Sequence, residues 1–111
     1  MEVQVRNLED VTILETTGDI DGSTAPTLQE HVMNAIKPGC KLLLDMSAVE
    51  FMSSAGLRVM LLLHRQVSGG DGRVVLVGLS EALKDTMTAT GFLKFFTTTD
   101  TIDAGLAALS Q

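Results

Sequence analysis

Two short stretches of this chain, Leu42-Leu43-Leu44 and Val74-Val75-Leu76-Val77, are apolar at every position. A strand with one face in water alternates apolar and polar residues, so a strand without that alternation has to be covered on both faces. Between the two runs lies Leu57 to Val67, apolar nearly all round and broken only by Arg58, His64, Arg65 and Gln66. That segment reads as a helix that is buried or turned toward a partner, and Gly69-Gly70-Asp71-Gly72 stops it. Strand, helix and strand in this order form the unit from which parallel sheets are built.

The flanking sequence extends the pattern. Val3, Val5 and Leu8 alternate with polar residues, and Val11, Ile13 and Glu15 repeat the alternation after a break at Glu9-Asp10. These read as two half-exposed strands joined by a short turn. The loop Gly18 to Thr24 supplies N-cap residues ahead of Pro26, which a first helical turn tolerates. The helix that follows runs to about Lys37, with Leu28, Val32, Ala35 and Ile36 in one stripe, and Pro38-Gly39 ends it. Ser80 is placed to cap a helix reaching about Thr90, closed by Gly91. Phe95-Phe96 reads as a short edge strand. Thr98-Thr99-Asp100 offers caps for a last helix, Thr101 to Leu109, with Ile102, Leu106 and Leu109 on one face. The expectation is an α/β fold: an N-terminal β-hairpin, then alternating units, giving a mixed, mostly parallel sheet of four or five strands and about four helices.

With 111 residues, of which 45% are hydrophobic and 4% aromatic, the chain suits one domain over residues 1–111 with an aliphatic core. A net charge of -6 opposes binding to nucleic acid, because no basic patch is available to release counterions from phosphates. The same acidity argues for a monomer. Cys40 is the single cysteine, which fits a reducing compartment and leaves no cysteine cluster for zinc. MEVQVRNLED lacks a basic stretch followed by an apolar one, and no run approaches the roughly 18 apolar residues of a membrane span. A soluble, cytoplasmic protein without membrane contact is expected.

Ser53-Ser54-Ala55-Gly56 opens the apolar helix and is the stretch most suggestive of function. Unpaired N–H groups and the positive end of the helix dipole meet there, so a serine hydroxyl can cap the helix or carry a phosphate that the site tolerates. Residue chemistry leaves both readings open. A serine nucleophile is disfavoured: Glu50-Phe51-Met52-Ser53-Ser54-Ala55-Gly56 is not a G-x-S-x-G elbow, and His64 lies roughly 15 Å along the same helix, too far to act as base. His31 stands in another helix with no motif around it. Gly69 to Gly72 follows a helix and precedes a strand, the reverse of a phosphate loop, and Asp19 with Asp21 lacks the rest of a calcium loop. No catalytic residue, metal site or cofactor is expected. Met52, Met60 and Met87 read as core filler or an adaptable contact surface.

Three stretches together resemble the anti-sigma factor antagonists, which are single STAS domains: Gly18-Asp19-Ile20-Asp21 with Thr24-Ala25, Asp45-Met46-Ser47-Ala48-Val49-Glu50-Phe51-Met52, and Ser53-Ser54-Ala55-Gly56-Leu57. They are similar to that family's G-x-[LI]-D…[ST]-A loop, its D-[LFM]-S-x-V-x-[FY]-[IM] strand and loop, and its D-S-[ST]-G-L helix start. The resemblance implies a non-enzymatic module that binds an anti-sigma factor serine kinase and frees a sigma factor, until the kinase phosphorylates it and a PP2C-type phosphatase reverses the change. It implies Ser54 as the acceptor ahead of Ser53, with Ser53 standing where the family has aspartate and Ala55 where it has a second hydroxyl residue. It also implies a partner-binding surface containing Asp19, Asp21, Ser23, Thr24, Ser53, Ala55, Gly56, Leu57 and Arg58. The alternative is a STAS scaffold or transporter-complex subunit in which the serines only cap the helix.

Overall fold

The computed structural model describes residues 1–110. In chain order the elements are β1 (Glu2–Leu8), β2 (Val11–Thr17), α1 (Ala25–Ala35), β3 (Lys41–Ala48), α2 (Ser54–Gly69), β4 (Arg73–Val77), α3 (Glu81–Ala89), a 3-10 turn (Leu93–Phe95), β5 (Thr97–Thr99) and α4 (Ile102–Leu109). The strands lie in one sheet in their chain order, with β1 antiparallel to β2 and every later pair parallel.

The uninterrupted apolar runs have the two-sided cover they require. Leu42 and Leu44 of β3 join Leu14 and Leu76 in a core closed by α1, α2 and α3. Leu43 projects the other way, with Ile13, Val75 and Val77, into a smaller core closed by Leu109 of α4. Gly105 lets α4 sit this close: a Cβ there would lie 2.9 Å from methyl groups of both Leu43 and Val77.

Three expectations are corrected. β2 is not half-exposed: α4 covers the face that carries Val11 and Ile13, the core closed by α1, α2 and α3 takes Leu14 on the other, and Val11, Ile13, Leu14 and Thr16 are all buried. Phe95-Phe96 is not the edge strand, because both rings turn onto His64 of α2, with centroids 5.2 and 5.7 Å away. The edge strand is instead Thr97–Thr99, whose β-branched residues pair with Val75–Val77. Helix α1 ends at Ala35, where Ile36 turns extended, before the Pro38-Gly39 stop.

Two caps form with hydroxyl acceptors: the Ser80 Oγ accepts the Leu83 N–H at 3.2 Å, and the Thr101 Oγ1 accepts the Ala104 N–H at 3.1 Å. Leu44 is wholly buried at the centre of the larger core. Leu44→Ala is expected to lower unfolding free energy by about 2 to 5 kcal/mol, read as a reduced urea midpoint at unchanged slope.

Candidate functional site

The C-terminal end of β2 leads into the loop Gly18 to Thr24, and the end of β3 leads through Val49 to Met52 into α2. Main-chain hydrogen bonds join these segments. The Gly18 N–H donates to the Ala48 carbonyl at 3.1 Å, the Ile20 N–H to the Phe51 carbonyl at 2.9 Å, and the Ser53 N–H to the Ile20 carbonyl at 2.8 Å. Ile20 and Met52 thus form a parallel bridge that continues the β2–β3 pairing beyond the sheet. Both side chains are buried under the first turn of α2.

Gly56 is the contact between that bridge and the helix. A Cβ at this position would lie 2.5 Å from the Met52 Cγ and 2.7 Å from the Ile20 Cγ2. Met52 can give way, but Ile20 is branched at Cβ and has little rotameric freedom. The small-residue run therefore serves close packing at its fourth position.

The Asp19 to Thr24 loop is ordered by a reciprocal pair. One Asp21 carboxylate oxygen accepts the Ser23 N–H at 2.9 Å, the Ser23 hydroxyl at 2.7 Å and the Thr24 N–H at 3.1 Å. In return the Asp21 N–H donates to the Thr24 Oγ1 at 2.9 Å, and that hydroxyl donates to the Asp19 carbonyl. The arrangement works as a capping box does. The Ser23 hydroxyl, followed by the Ser23 and Thr24 N–H groups, holds the Asp21 carboxyl below its ordinary pKa.

The two serines differ. Ser53 occupies the N-cap position of α2, but its hydroxyl makes no capping bond. Its Oγ is buried without a hydrogen-bond partner. Ser54 is the first helical residue and is exposed. Beside it a shallow groove runs between α1 and α2, lined by Gly22, Ala25, Gln29, Ala55, Arg58 and Leu62.

Of the residues assigned to a partner surface, Asp19, Ser23 and Arg58 are exposed, and Asp21, Thr24, Ser53 and Ala55 are partly so. Gly56 and Leu57 are buried, so they support this surface from beneath and do not lie in it. Phe51, which residue patterning did not single out, is 52% exposed next to the serines. Its place between buried Val49 and Met52 shows only once the chain between β3 and α2 is built.

Neither histidine stands at the serines. His64 packs against Phe95 and Phe96, and the His31 ring nitrogen lies 2.9 Å from the Thr27 carbonyl within α1. Met52, Met60 and Met87 are core residues. Among the described residues no cluster of three metal-ligating side chains occurs, and no helix is long and apolar enough to cross a membrane.

A family model described as STAS domain matches residues 2–105. An anti-sigma-B factor antagonist of Listeria monocytogenes is 31% identical over 84 residues, covering 75% of this chain and 73% of that protein. The crystal structure of an anti-sigma factor antagonist from Mycobacterium paratuberculosis superposes with a TM-score of 0.88 at 27% identity, covering 99% of this chain and 94% of that one. The Bacillus cell fate determinant SpoIIAA in its phosphorylated form has the same fold, with a TM-score of 0.73 at 16% identity over 96% of this chain and 98% of that one.

Two outcomes test the site geometry. Gly56→Ala is expected to destabilise the fold by about 1 to 3 kcal/mol in urea unfolding, because overpacking against Ile20 outweighs the roughly 1 kcal/mol that alanine gains over glycine in a helix. The Asp21 carboxyl, depressed in the folded state, stabilises the loop above its unfolded pKa, and that contribution disappears as pH falls through the lowered folded value. Amide exchange by NMR should therefore show Ser23 and Thr24 losing protection on acidification ahead of the core strands, and Asp21→Ala should show the same loss at neutral pH.

Proposed function

This chain belongs to the STAS-domain family, and from that premise we propose that it is an anti-sigma factor antagonist switched by phosphorylation of Ser54. In this reading the unmodified protein, a single domain acting in the cytoplasm, binds an anti-sigma factor that is also a serine kinase and so frees a sigma factor. Phosphate on Ser54 ends the binding, and a PP2C-type phosphatase restores it. The observation that carries the assignment is the contrast within the pair: Ser54 is an exposed residue, whereas the Ser53 Oγ is buried. A kinase needs its acceptor oxygen within reach, and Ser54 offers one without rearrangement of the helix start.

The same geometry supports a switch that acts at the interface and leaves the fold in place. A phosphoserine carries about -1.5 to -2 charge at neutral pH. At the first turn of α2 the N–H groups of Ser54, Ala55 and Gly56 have no partner within the helix, and the Ser53 hydroxyl takes none of them. They can receive phosphate oxygens, and the helix dipole favours the charge. Across an interface the balance reverses, because a dianion pressed against a partner that has no cation for it is desolvated without compensation. The lack of a histidine beside Ser54 favours a binding module over a hydrolase.

The deciding experiment is retention of the partner kinase on the immobilised protein with and without ATP, with phosphate mapped by mass spectrometry. Retention without ATP and release on incorporation at Ser54 are expected. Ser54→Ala should stay bound through ATP addition, and Ser54→Asp should lose retention. A Ser54→Asp protein that binds as tightly as the native one overturns the reading. Ser53→Ala should leave phosphate incorporation unchanged and leave stability unchanged or raised by up to about 3 kcal/mol, because it removes a buried hydroxyl that has no partner.

A further inference from the structure

The sheet has two edges, and they are built differently. β5 is three threonines long. β1 runs for seven residues without proline or lysine, and no register shift interrupts its pairing with β2. Short strands, prolines, bulges and charged side chains, lysine above all, are the usual means of blunting an edge; β1 has no proline, lysine or bulge, and its two charges, Glu2 and Arg6, are of opposite sign. Two of its apolar side chains stand in solvent, Val5 at 49% exposure and Leu8 at 46%.

The direction of the free main-chain groups follows from the hairpin. Leu8 pairs with Val11 across the Glu9-Asp10 turn, and in a two-residue hairpin the flanking pair is hydrogen-bonded. Glu2, Gln4, Arg6 and Leu8 therefore spend their main-chain groups on β2, while Val3, Val5 and Asn7 turn theirs outward. We infer that this edge pairs with a second copy of the chain, β1 against β1, antiparallel and centred on Gln4.

The sequence Glu2-Val3-Gln4-Val5-Arg6 is self-complementary in that register. Val3 of each copy opposes Val5 of the other, and both belong to the outward-facing set, so each such pair exchanges two hydrogen bonds. Glu2 opposes Arg6 at the intervening positions, where side chains approach most closely. Re-centring on Val3 or on Val5 opposes neither charge to its opposite, and a slip by one residue mismatches the hydrogen-bonding groups. Arg6 already pairs with Glu15 of β2, so Glu2 of the second copy would complete a carboxylate–guanidinium–carboxylate row across three strands. The net charge of -6 on each copy opposes association, which limits the contact to a weak dimer formed on concentration.

Sedimentation velocity over a concentration series from micromolar to millimolar tests the pairing without any partner protein. The native chain should move from monomer to dimer as concentration rises. Glu2→Arg turns two attractive pairs into two repulsive ones and should weaken the dimer about tenfold. Val5→Pro removes an outward N–H that β2 does not use, a replacement an edge strand tolerates, and should abolish the dimer. An equimolar mixture of Glu2→Arg and Arg6→Glu chains should associate better than either alone, because each then opposes unlike charges. Circular dichroism establishes that each variant folds; if Val5→Pro does not, Glu2→Arg at the exposed first residue of the strand and its rescue in the mixture decide the matter. A native chain that stays monomeric to millimolar concentration overturns the inference. So does a dimer that folded Glu2→Arg and Val5→Pro leave unchanged.

Discussion

The bridge between Ile20 and Met52 is the constraint on which the end of this molecule that carries the candidate site depends. It extends the β2–β3 pairing past the sheet, so two loops that would otherwise move separately become one surface. The hydrogen bonds on either side, from Gly18 to Ala48 and from Ser53 to Ile20, fix its register. Gly56 then seats α2 directly on the two buried side chains. The position of Ser54 relative to the Asp19 to Thr24 loop follows from that seat, since the helix cannot shift without opening the bridge.

On this frame the neighbouring serines have opposite fates. The residue at the N-cap has its hydroxyl buried, where it finds no acceptor or donor, and the next residue is exposed to solvent. Serine at an N-cap ordinarily accepts an N–H from the first turn. Here it does not, so those N–H groups stay free beside Ser54. A local capping rule is broken at the point where the proposed chemistry needs unpaired donors, and local rules are most often broken at functional sites.

Much of this was legible in the residues. The uninterrupted apolar runs demanded two-sided cover, and α1, α2 and α3 on one face with α4 on the other supply it. Ser80 capped α3 as its type and place suggested. The misreadings share a cause. Val11, Ile13 and Glu15 alternate as a half-exposed strand does, yet β2 is buried on both faces, because α4 covers Val11 and Ile13 while α1, α2 and α3 close the core that holds Leu14. Phe95-Phe96 has strand propensity, yet stacking on His64 draws both rings out of the ladder. Each depends on a neighbour remote in sequence.

The sequence by itself determined the fold class, the order of the elements and the presence of a small-residue helix start, because these rest on periodicity and on local chemistry within a few residues. It also carried the family motifs. Only the tertiary structure decided which serine is exposed and which has its hydroxyl buried, that Gly56 and Leu57 lie under the surface, that Phe51 stands out of it, and that β1 is an edge of the sheet. The physical reason is the same in each case: exposure is set by what packs against a residue, and the packing partners, Ile20 for Gly56 and β2 for β1, are brought there by the fold.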